Sequence, residues 1–319
     1  MKQFPRLTFL LTLVNIFATA CSTGLIIRET PIDATWRNPY VASQPEFEPF
    51  KGVENLTFDG EGAMYVSGLN GFIYKVAPTA DLFHGTIVAA KKVGKLCLGI
   101  VVGPDGFIYI GVEDEHGDNR IAKISKDFAT VTFLTTGNTK GLNGLSKGAD
   151  GFLYFGSSRI FPYFAGGKLF RARIGDDASF AKPELLAEGL GVVNGVVIAP
   201  DAKTVYFTET FGSLKRLDLA TKAVTKVFTP KGFFTVLDDL TLAPDGSFWV
   251  ALNSSGCILH LIDGKPEYCA KVGDLKVPSS LRFGSGPGFN PDDLYVSEFG
   301  PTRRMLTMKG RGVWSYPTR

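Results

Sequence analysis

The chain has 319 residues, of which 45% are hydrophobic and 20% charged, and its formal net charge is +3. This composition is that of a globular protein and excludes a disordered or collagen-like chain. Because the charge is small and no basic stripe stands out, we expect no nucleic-acid partner.

Residues 1–20 predict an export signal. Lys2 and Arg6 form a basic start, and the mostly apolar run Leu7 to Ala20 is too short to span a membrane comfortably. Ala18-Thr19-Ala20 is typical of a cleavage site, and Cys21 follows it directly. Two outcomes stay open: simple secretion, or a lipid on Cys21 as the sole contact with a membrane. Either way we predict an exported protein, whether periplasmic, lipid-anchored or secreted.

Residues 21–48 predict a linker or a strap, because Pro31, Pro39 and Pro45 interrupt any helix. The rest of the chain, residues 49–319, predicts one repetitive domain.

The repeat is a short Gly/Asp turn followed by an apolar run that carries Tyr or Trp. The six aromatic residues, separated by 43 to 52 positions, are Tyr65, Tyr109, Tyr154, Tyr206, Trp249 and Tyr295. A period of this length, with hairpin turns and no helical pattern, indicates one β-blade per repeat. We therefore predict an all-β fold: a six-bladed β-propeller with four antiparallel strands per blade. Such a fold brings one loop of every blade to a single axial pocket.

Two segments depart from the repeat. An insertion in the third blade carries Phe161, Tyr163 and Phe164. Such a loop either roofs a pocket, where it would favour an apolar group over a sugar, or covers a sheet edge. The segment 310–316 predicts one more strand, which we expect to close the ring next to the first blade.

Cys257 and Cys269 flank the turn Asp263-Gly264 and lie nearly opposite each other across a predicted hairpin. In an exported protein they could form a disulfide, whereas two buried free thiols are equally compatible with the sequence.

Four polar residues occupy equivalent positions in four repeats. Glu54, Asn143, Asn194 and Asp238 each precede the aromatic residue of their repeat by 11 or 12 positions. Equivalent positions in a propeller converge on the axis, and an all-oxygen cluster suits Ca²⁺ or, less well, another divalent cation. The competing interpretation is that Asn-Gly and Asp-Asp are ordinary turn residues. Four positions in register favour the metal site.

The segments around Glu54, at 194–201 and at 238–250 resemble the gluconolactonase/regucalcin superfamily and its paraoxonase and strictosidine synthase-like relatives. The resemblance extends over nearly the whole chain from about Lys51. It implies a six-bladed propeller with one axial calcium held by Glu54, Asn194 and Asp238. It also implies that Asn143 binds metal or substrate.

The chain departs from this resemblance at two positions. Gly141 stands two residues before Asn143, where gluconolactonases carry an Arg that grips a sugar acid. Leu98 stands where paraoxonases carry a His. These departures argue against an aldonolactone substrate and against a His dyad. His116 is a candidate to reach the pocket, and its alternative is a solvated loop residue.

We predict a calcium-dependent lactonase or esterase that acts on a small lactone or ester. Asp238 is the predicted catalytic residue, as a metal ligand and as the base that activates water. Asn143, Asp239 and His116 are predicted to contact substrate. Two alternatives stay open: a non-catalytic ligand-binding propeller, and a strictosidine synthase-like enzyme that needs no metal.

Overall fold

The computed structural model describes residues 27–30, 53–80, 84–134, 136–137, 139–159, 165–174, 182–231, 235–272, 275, 277–298 and 312–318. The predicted export signal, Cys21 and the aromatic residues of the third-blade insertion lie outside these residues. Within them, no helix is both long enough and apolar enough to cross a membrane.

The chain folds into a β-propeller. Five sheets each contain four consecutive antiparallel strands, which confirms the predicted blade. Blade one comprises β2 Val53–Phe58, β3 Met64–Gly68, β4 Phe72–Pro78 and β5 Gly85–Lys92. Blade two comprises β6 Leu96–Val102, β7 Ile108–Glu113, β8 Asn119–Ile124 and β9 Val131–Leu134. Blade three comprises β10 Leu142–Lys147, β11 Phe152–Arg159, β12 Ala165–Arg173 and β13 Glu184–Leu190.

The remaining sheets follow in chain order. Blade four comprises β14 Val193–Ile198, β15 Thr204–Glu209, β16 Leu214–Asp218 and β17 Val224–Phe228. Blade five comprises β18 Leu237–Leu242, β19 Phe248–Leu252, β20 Cys257–Ile262 and β21 Lys265–Val272, with a single helical turn at Asn253–Ser255. A last sheet, here called sheet six, has three strands within the described residues: β22 Pro278–Phe283, β23 Asp293–Glu298 and β24 Gly312–Pro317.

The first strands of the sheets form a closed circuit. Each of β2, β6, β10, β14 and β18 contacts the first strand of the next sheet, and β22 contacts both β18 and β2. The C-terminal segment does form a strand, as predicted, but β24 pairs with β23 as the third strand of sheet six. Among the described residues, sheet six and blade one therefore pack against each other without sharing a strand.

The hydrophobic core lies between the sheets. Six buried clusters each join one sheet to its neighbour, for example Val53 and Leu56 of blade one with Phe289 and Tyr295 of sheet six. Fully burying a side chain of this size stabilises the fold by about 1.5–3 kcal/mol. Each blade therefore depends on both neighbours for its stability.

In blades two and three the repeated turn and the aromatic residue that follows it are joined by a hydrogen bond. The hydroxyl of Tyr109 donates to Asp105 Oδ2 at 2.8 Å, and that of Tyr154 donates to Asp150 Oδ2 at 2.6 Å. The turn aspartate thus accepts a hydrogen bond from the tyrosine that begins the next strand, and both tyrosines are fully buried. A buried hydroxyl needs such a partner.

The N-terminal strand β1, Ile27–Thr30, adds to the outer edge of blade five. It pairs parallel with β21, and Ile27 lies opposite Cys269. Cys269 also forms a disulfide with Cys257 of β20. The structure therefore contains the disulfide rather than two free thiols, and the one described part of the predicted linker or strap is β1, along the edge of blade five.

Candidate functional site

A bulge interrupts the first strand of every sheet at the same place. There the strand carries one residue more than its partner, so two successive side chains leave the regular alternation. The residue pairs at or beside these bulges are Glu54-Asn55, Leu98-Gly99, Asn143-Gly144, Asn194-Gly195, Asp238-Asp239 and Ser279-Ser280. We call the first member of each pair the central position and the second member the flanking position.

Five polar side chains at the central positions form a hydrogen-bonded group, the central cluster. Its members are Glu54, Asn143, Asn194, Asp238 and Ser279. Asn143 Nδ2 donates to Asn194 Oδ1 at 2.7 Å and to Glu54 Oε1 at 3.4 Å. Ser279 Oγ lies 3.0 Å from Glu54 Oε2 and 3.2 Å from Asp238 Oδ2. All four residues predicted from their spacing are therefore brought together, and Ser279 joins them from sheet six.

The cluster has more acceptors than donors. Glu54 and Asp238 are buried, and Ser279 has a single hydroxyl hydrogen to offer to the two carboxylates that it contacts. Burial raises the pKa of Glu54 to about 7, although the hydrogen bonds from Ser279 and Asn143 act in the opposite direction. Burial, and then the nearby Glu54 carboxylate, raises the pKa of Asp238 well above its ordinary value. The site therefore favours an added proton or a cation.

These residues fit a hard divalent cation. Glu54, Asp238 and Asn194 supply carboxylate and amide oxygens, which are the ligands that Ca²⁺ prefers. Among the described residues no group of three His, Cys, Asp or Glu side chains could hold a metal, so any cation here needs amide or water oxygens as well. Asn143 directs its amide nitrogen to the cluster, while its Oδ1 accepts from the Gly144 N–H at 2.9 Å. In this arrangement Asn143 is a hydrogen-bond donor rather than a ligand.

Two loops hold the cluster from one end of the propeller. Asn253, in the loop between β19 and β20, donates from Nδ2 to Asp238 Oδ2 at 2.9 Å. Thr210, in the loop between β15 and β16, accepts from Asn194 Nδ2 at 3.3 Å. We call this the loop end of the site. Neither residue was predicted as a site residue, although each stands four positions after the aromatic residue of its repeat, Tyr206 or Trp249, a spacing that could have found both.

Hydroxyl groups also fix the backbone of the cluster. Ser297 Oγ accepts from the Ser280 N–H at 2.9 Å and donates to the Glu54 carbonyl at 2.8 Å. Thr208 does the same between the Gly195 N–H and the Asp238 carbonyl. Each hydroxyl satisfies an N–H beside a bulge and ties its sheet to a central residue of the next sheet. The strands that present Glu54 and Asp238 are therefore positioned by their neighbours.

Asp239 occupies a different environment from Asp238. It is only 1% exposed, and its Oδ2 lies 2.7 Å from Arg282 Nη1 and accepts from the Ser280 hydroxyl. Its Oδ1 accepts from the Leu240 N–H at 2.8 Å. The Ser280 hydroxyl also contacts Asn55 Oδ1 at 2.8 Å. Because Oδ2 of Asp239 is engaged by sheet six and Oδ1 by its own strand, its geometry does not support the predicted contact with substrate.

Three other flanking positions are glycines in tight places. A Cβ on Gly144 would lie 2.0 Å from the Asn194 carbonyl oxygen, and one on Gly99 would lie 2.7 Å from the Gly144 nitrogen. One on Gly195 would lie 2.7 Å from the Asp239 Cα. Blades two to five thus approach one another at the axis through backbone atoms.

The remaining candidates lie outside the cluster's hydrogen bonds. His116 is exposed in the turn between β7 and β8, and its backbone N–H donates to Asp114 Oδ1 at 2.9 Å. That position matches the solvated loop residue that the sequence left as the alternative. Leu98 is buried at the central position of blade two, so this blade offers the axis an apolar side chain.

Comparisons with known proteins agree with this architecture. The sequence model of the SMP-30/gluconolactonase/LRE-like region matches residues 76–298. A search of curated proteins found no match.

Among solved structures, a luciferin-regenerating enzyme is similar, with TM-score 0.64, 20% identity and coverage of 84% of this chain and 92% of the other. Regucalcin from Agrobacterium tumefaciens, described as a calcium-binding protein, has TM-score 0.64 and 15% identity, with 84% of this chain and 90% of the other covered. The PQQ-bound aldose sugar dehydrogenase from Streptomyces coelicolor has TM-score 0.57 and 16% identity, with 84% of this chain and 96% of the other covered. These likenesses show the propeller fold. Since the family match spans well over half of the sequence, the chain belongs to the SMP-30/gluconolactonase/LRE-like family.

Proposed function

We propose that this protein is a calcium-dependent lactonase or esterase with one metal at the axis of a six-bladed propeller. The observation that carries the proposal is the pair of buried carboxylates, Glu54 and Asp238, that compete for the hydroxyl of Ser279. Two carboxylates in one buried site are stable together only with a proton or a cation between them. Family membership and the calcium-binding description of the regucalcin neighbour are consistent with the cation.

The count of six blades is part of this proposal. Sheet six packs against blades five and one, and its Ser279-Ser280 pair repeats the bulged pair of the other sheets. Three of its strands fall within the described residues. These features support sheet six as the last blade.

In the proposed mechanism Glu54, Asn194 and Asp238 would hold the ion. When bound, it would supply a positive charge next to the substrate carbonyl and to the negative charge that develops on its oxygen. Asp238 also accepts the proton of the attacking water. Asn253 and Ser279 both contact Oδ2 of Asp238, so we assign its Oδ1 as the proton acceptor. We assign Asn143 as a donor to a substrate oxygen, because a cation held by Glu54 would free the hydrogen on Nδ2, which lies 3.4 Å from Glu54 Oε1.

The test is hydrolysis of a panel of small lactones and aryl esters by the mature protein, with calcium and then with chelator. We expect turnover that is lost on chelation and restored by calcium. We expect Asp238→Asn to lose at least 100-fold in kcat, as is usual for a catalytic base. Ser125→Ala, a half-buried hydroxyl in the β8–β9 turn that contacts Asp127, is the matched control and keeps its activity. Full activity of Asp238→Asn would contradict the assignment.

A second function is favoured by one observation. Leu98 is apolar at the central position of blade two, and Gly141 supplies no side chain near Asn143. A propeller that binds calcium and a ligand without turning it over would show both features. Calcium binding without hydrolysis of any substrate would support this alternative. A strictosidine synthase-like enzyme that needs no metal would instead show no stabilisation by calcium and no sensitivity to chelator.

Export stays a proposal that rests on the sequence of residues 1–21. Mass spectrometry of the mature N-terminus separates its two forms, because a lipid on Cys21 adds a defined mass and simple secretion adds none.

A further inference from the structure

Five large apolar side chains are strongly exposed among the described residues, and one differs from the rest in its position. Val88, Phe133 and Leu185 lie on the outer strands β5, β9 and β13, and Ile262 lies at the turn between β20 and β21. That turn is at the opposite end of blade five from Asn253, which contacts the central cluster. Phe211, 49% exposed, lies in the β15–β16 loop at the loop end of the site.

The backbone around Phe211 is fixed. Its neighbour Thr210 accepts from Asn194 Nδ2 at 3.3 Å, donates its N–H to the Val192 carbonyl at 2.9 Å and accepts from the Leu237 N–H at 3.0 Å. The loop is also closed by the Glu209 N–H, which donates to the Ser213 carbonyl at 3.0 Å. An aromatic ring is thus held one residue away from a side chain that contacts the central cluster.

Single exposed apolar side chains are ordinary on protein surfaces, so exposure alone assigns no role to Phe133 or Val88. Phe211 combines exposure with a fixed position beside the site. Leu98 adds a second apolar group at the axis, and Gly141 adds no charge. The surroundings of Phe211 and Leu98 therefore favour an apolar substituent over the hydroxyl groups of a sugar.

We propose that Phe211 is a specificity-determining residue that contacts the alkyl or aryl part of the substrate while the ester carbonyl lies at the central cluster. This inference rests on the proposed hydrolase and specifies its substrate class as lactones or esters with an apolar chain or ring. A small lactone ring without a substituent would make no contact with Phe211. A polyhydroxylated lactone would bury hydroxyl groups against it without hydrogen-bond partners, which is unfavourable.

The experiment compares δ-decalactone with δ-valerolactone, which share the ring and differ in the alkyl chain. For Phe211→Ala we expect the ratio of KM for the decalactone to KM for the valerolactone to rise about 10-fold, with little change in kcat, because apolar contact area is lost. Phe211→Leu should recover most of the ratio. Phe133→Ala, at a comparably exposed aromatic on blade two, is the matched control and should leave the ratio unchanged. An equal change for both lactones would overturn the inference.

A binding measurement separates this inference from the proposed hydrolysis. If the wild-type protein hydrolyses neither lactone, the catalytic proposal fails, and calorimetric titration with δ-decalactone still tests Phe211. We then expect Phe211→Ala to bind it about 10-fold more weakly than wild type, with Phe133→Ala unchanged. Equal affinities of wild type and Phe211→Ala, or no binding by wild type, would overturn the role of Phe211.

Discussion

The two halves of the axial ring are built by different means. At the flanking positions of blades two, three and four, glycines let the neighbouring backbone approach. At the flanking positions of blade five, sheet six and blade one, Asp239, Ser280 and Asn55 form a buried hydrogen-bonded chain that is anchored by Arg282. The second half also carries both carboxylates of the central cluster. The comparison teaches that charge at the axis is supported by polar side chains behind it, whereas neutral positions need only close packing.

We expect the largest loss of stability from a substitution in the half of the ring where glycines let neighbouring blades approach each other. Gly144→Ala would place a Cβ 2.0 Å from the Asn194 carbonyl oxygen at a residue whose φ is +62°. We expect the free energy of unfolding to fall by about 4 kcal/mol or more, or the protein to fail to fold. The measurement is urea unfolding.

Gly151→Ala is the control for that change, because Gly151 has φ of +80° with nothing within 4 Å of an added Cβ. It should show only the cost of the left-handed backbone, about 1 kcal/mol. Equal losses for the two variants would show that the close approach of the blades is not the cause.

In the half of the ring built by polar side chains, we expect the buried ion pair between Arg282 and Asp239 to be the most sensitive contact. Arg282→Met leaves the Asp239 carboxylate buried without its cation, and we expect a loss of about 3 kcal/mol in unfolding free energy. The double variant Arg282→Met with Asp239→Asn should recover a large part of this loss, and a double-mutant cycle measures the coupling. Lys95→Met removes an exposed ion pair with Glu113 and should cost under about 1 kcal/mol. Strictly additive losses would refute the coupling.

The pH dependence of stability tests the half of the ring that carries the two buried carboxylates, Glu54 and Asp238. Without calcium, Glu54 has a pKa of about 7 in the folded protein against an ordinary value of 4.5, so the folded state binds more protons over that interval. The contribution of Glu54 to stability should therefore be fully present below pH 4.5 and be lost as the pH rises through 7. We expect the melting temperature to drop by roughly 5 °C over this range in chelator.

Added calcium should restore the melting temperature above pH 7, because the cation takes the place of the proton. Thermal scans between pH 4.5 and 8, with and without calcium, check both effects. Glu54→Gln should flatten much of the slope. A melting temperature that is independent of both pH and calcium would be incompatible with a shared-cation site.

The smallest expected effect is at Ser279. Ser279→Ala removes the hydroxyl between Glu54 and Asp238, and we expect a cost of about 1–2 kcal/mol in the calcium-free protein. The cost should shrink when calcium is present, because the cation then neutralises the carboxylates. Ser125→Ala should cost the same in both conditions, since its partner Asp127 lies in the same β8–β9 turn, at the other end of its blade from the site loops.

Much of the fold was predictable because its cause is local. In blades two and three the turn aspartate and the following tyrosine are hydrogen-bonded within one repeat, so this contact is visible in the sequence of that repeat alone. The four central residues were predictable for the same reason, since their distance to the aromatic residue is set by one hairpin.

The rest of the site depends on details that the repeat does not carry. Ser279 precedes Tyr295 by 16 residues instead of 11 or 12, because the connection between β22 and β23 is longer in sheet six. Asp238 and Asp239 look alike in the sequence, and only the bulge sends one to the centre and the other between sheets. Arg282 reaches Asp239 from the neighbouring sheet, which no spacing within one repeat predicts.

The N-terminal strand links blade five to blade one by a second route, in addition to the contacts through sheet six. β1 belongs to blade five by hydrogen bonding, while the chain that continues from it begins blade one at β2, so residues 31–52 connect the two neighbours of sheet six. If the contacts between sheet six and blade one open, blade one stays tethered to blade five through this connection. A tether keeps the effective concentration of the separated surfaces high, so reclosure is an intramolecular event. The disulfide that holds β21 to β20 secures the far end of that tether.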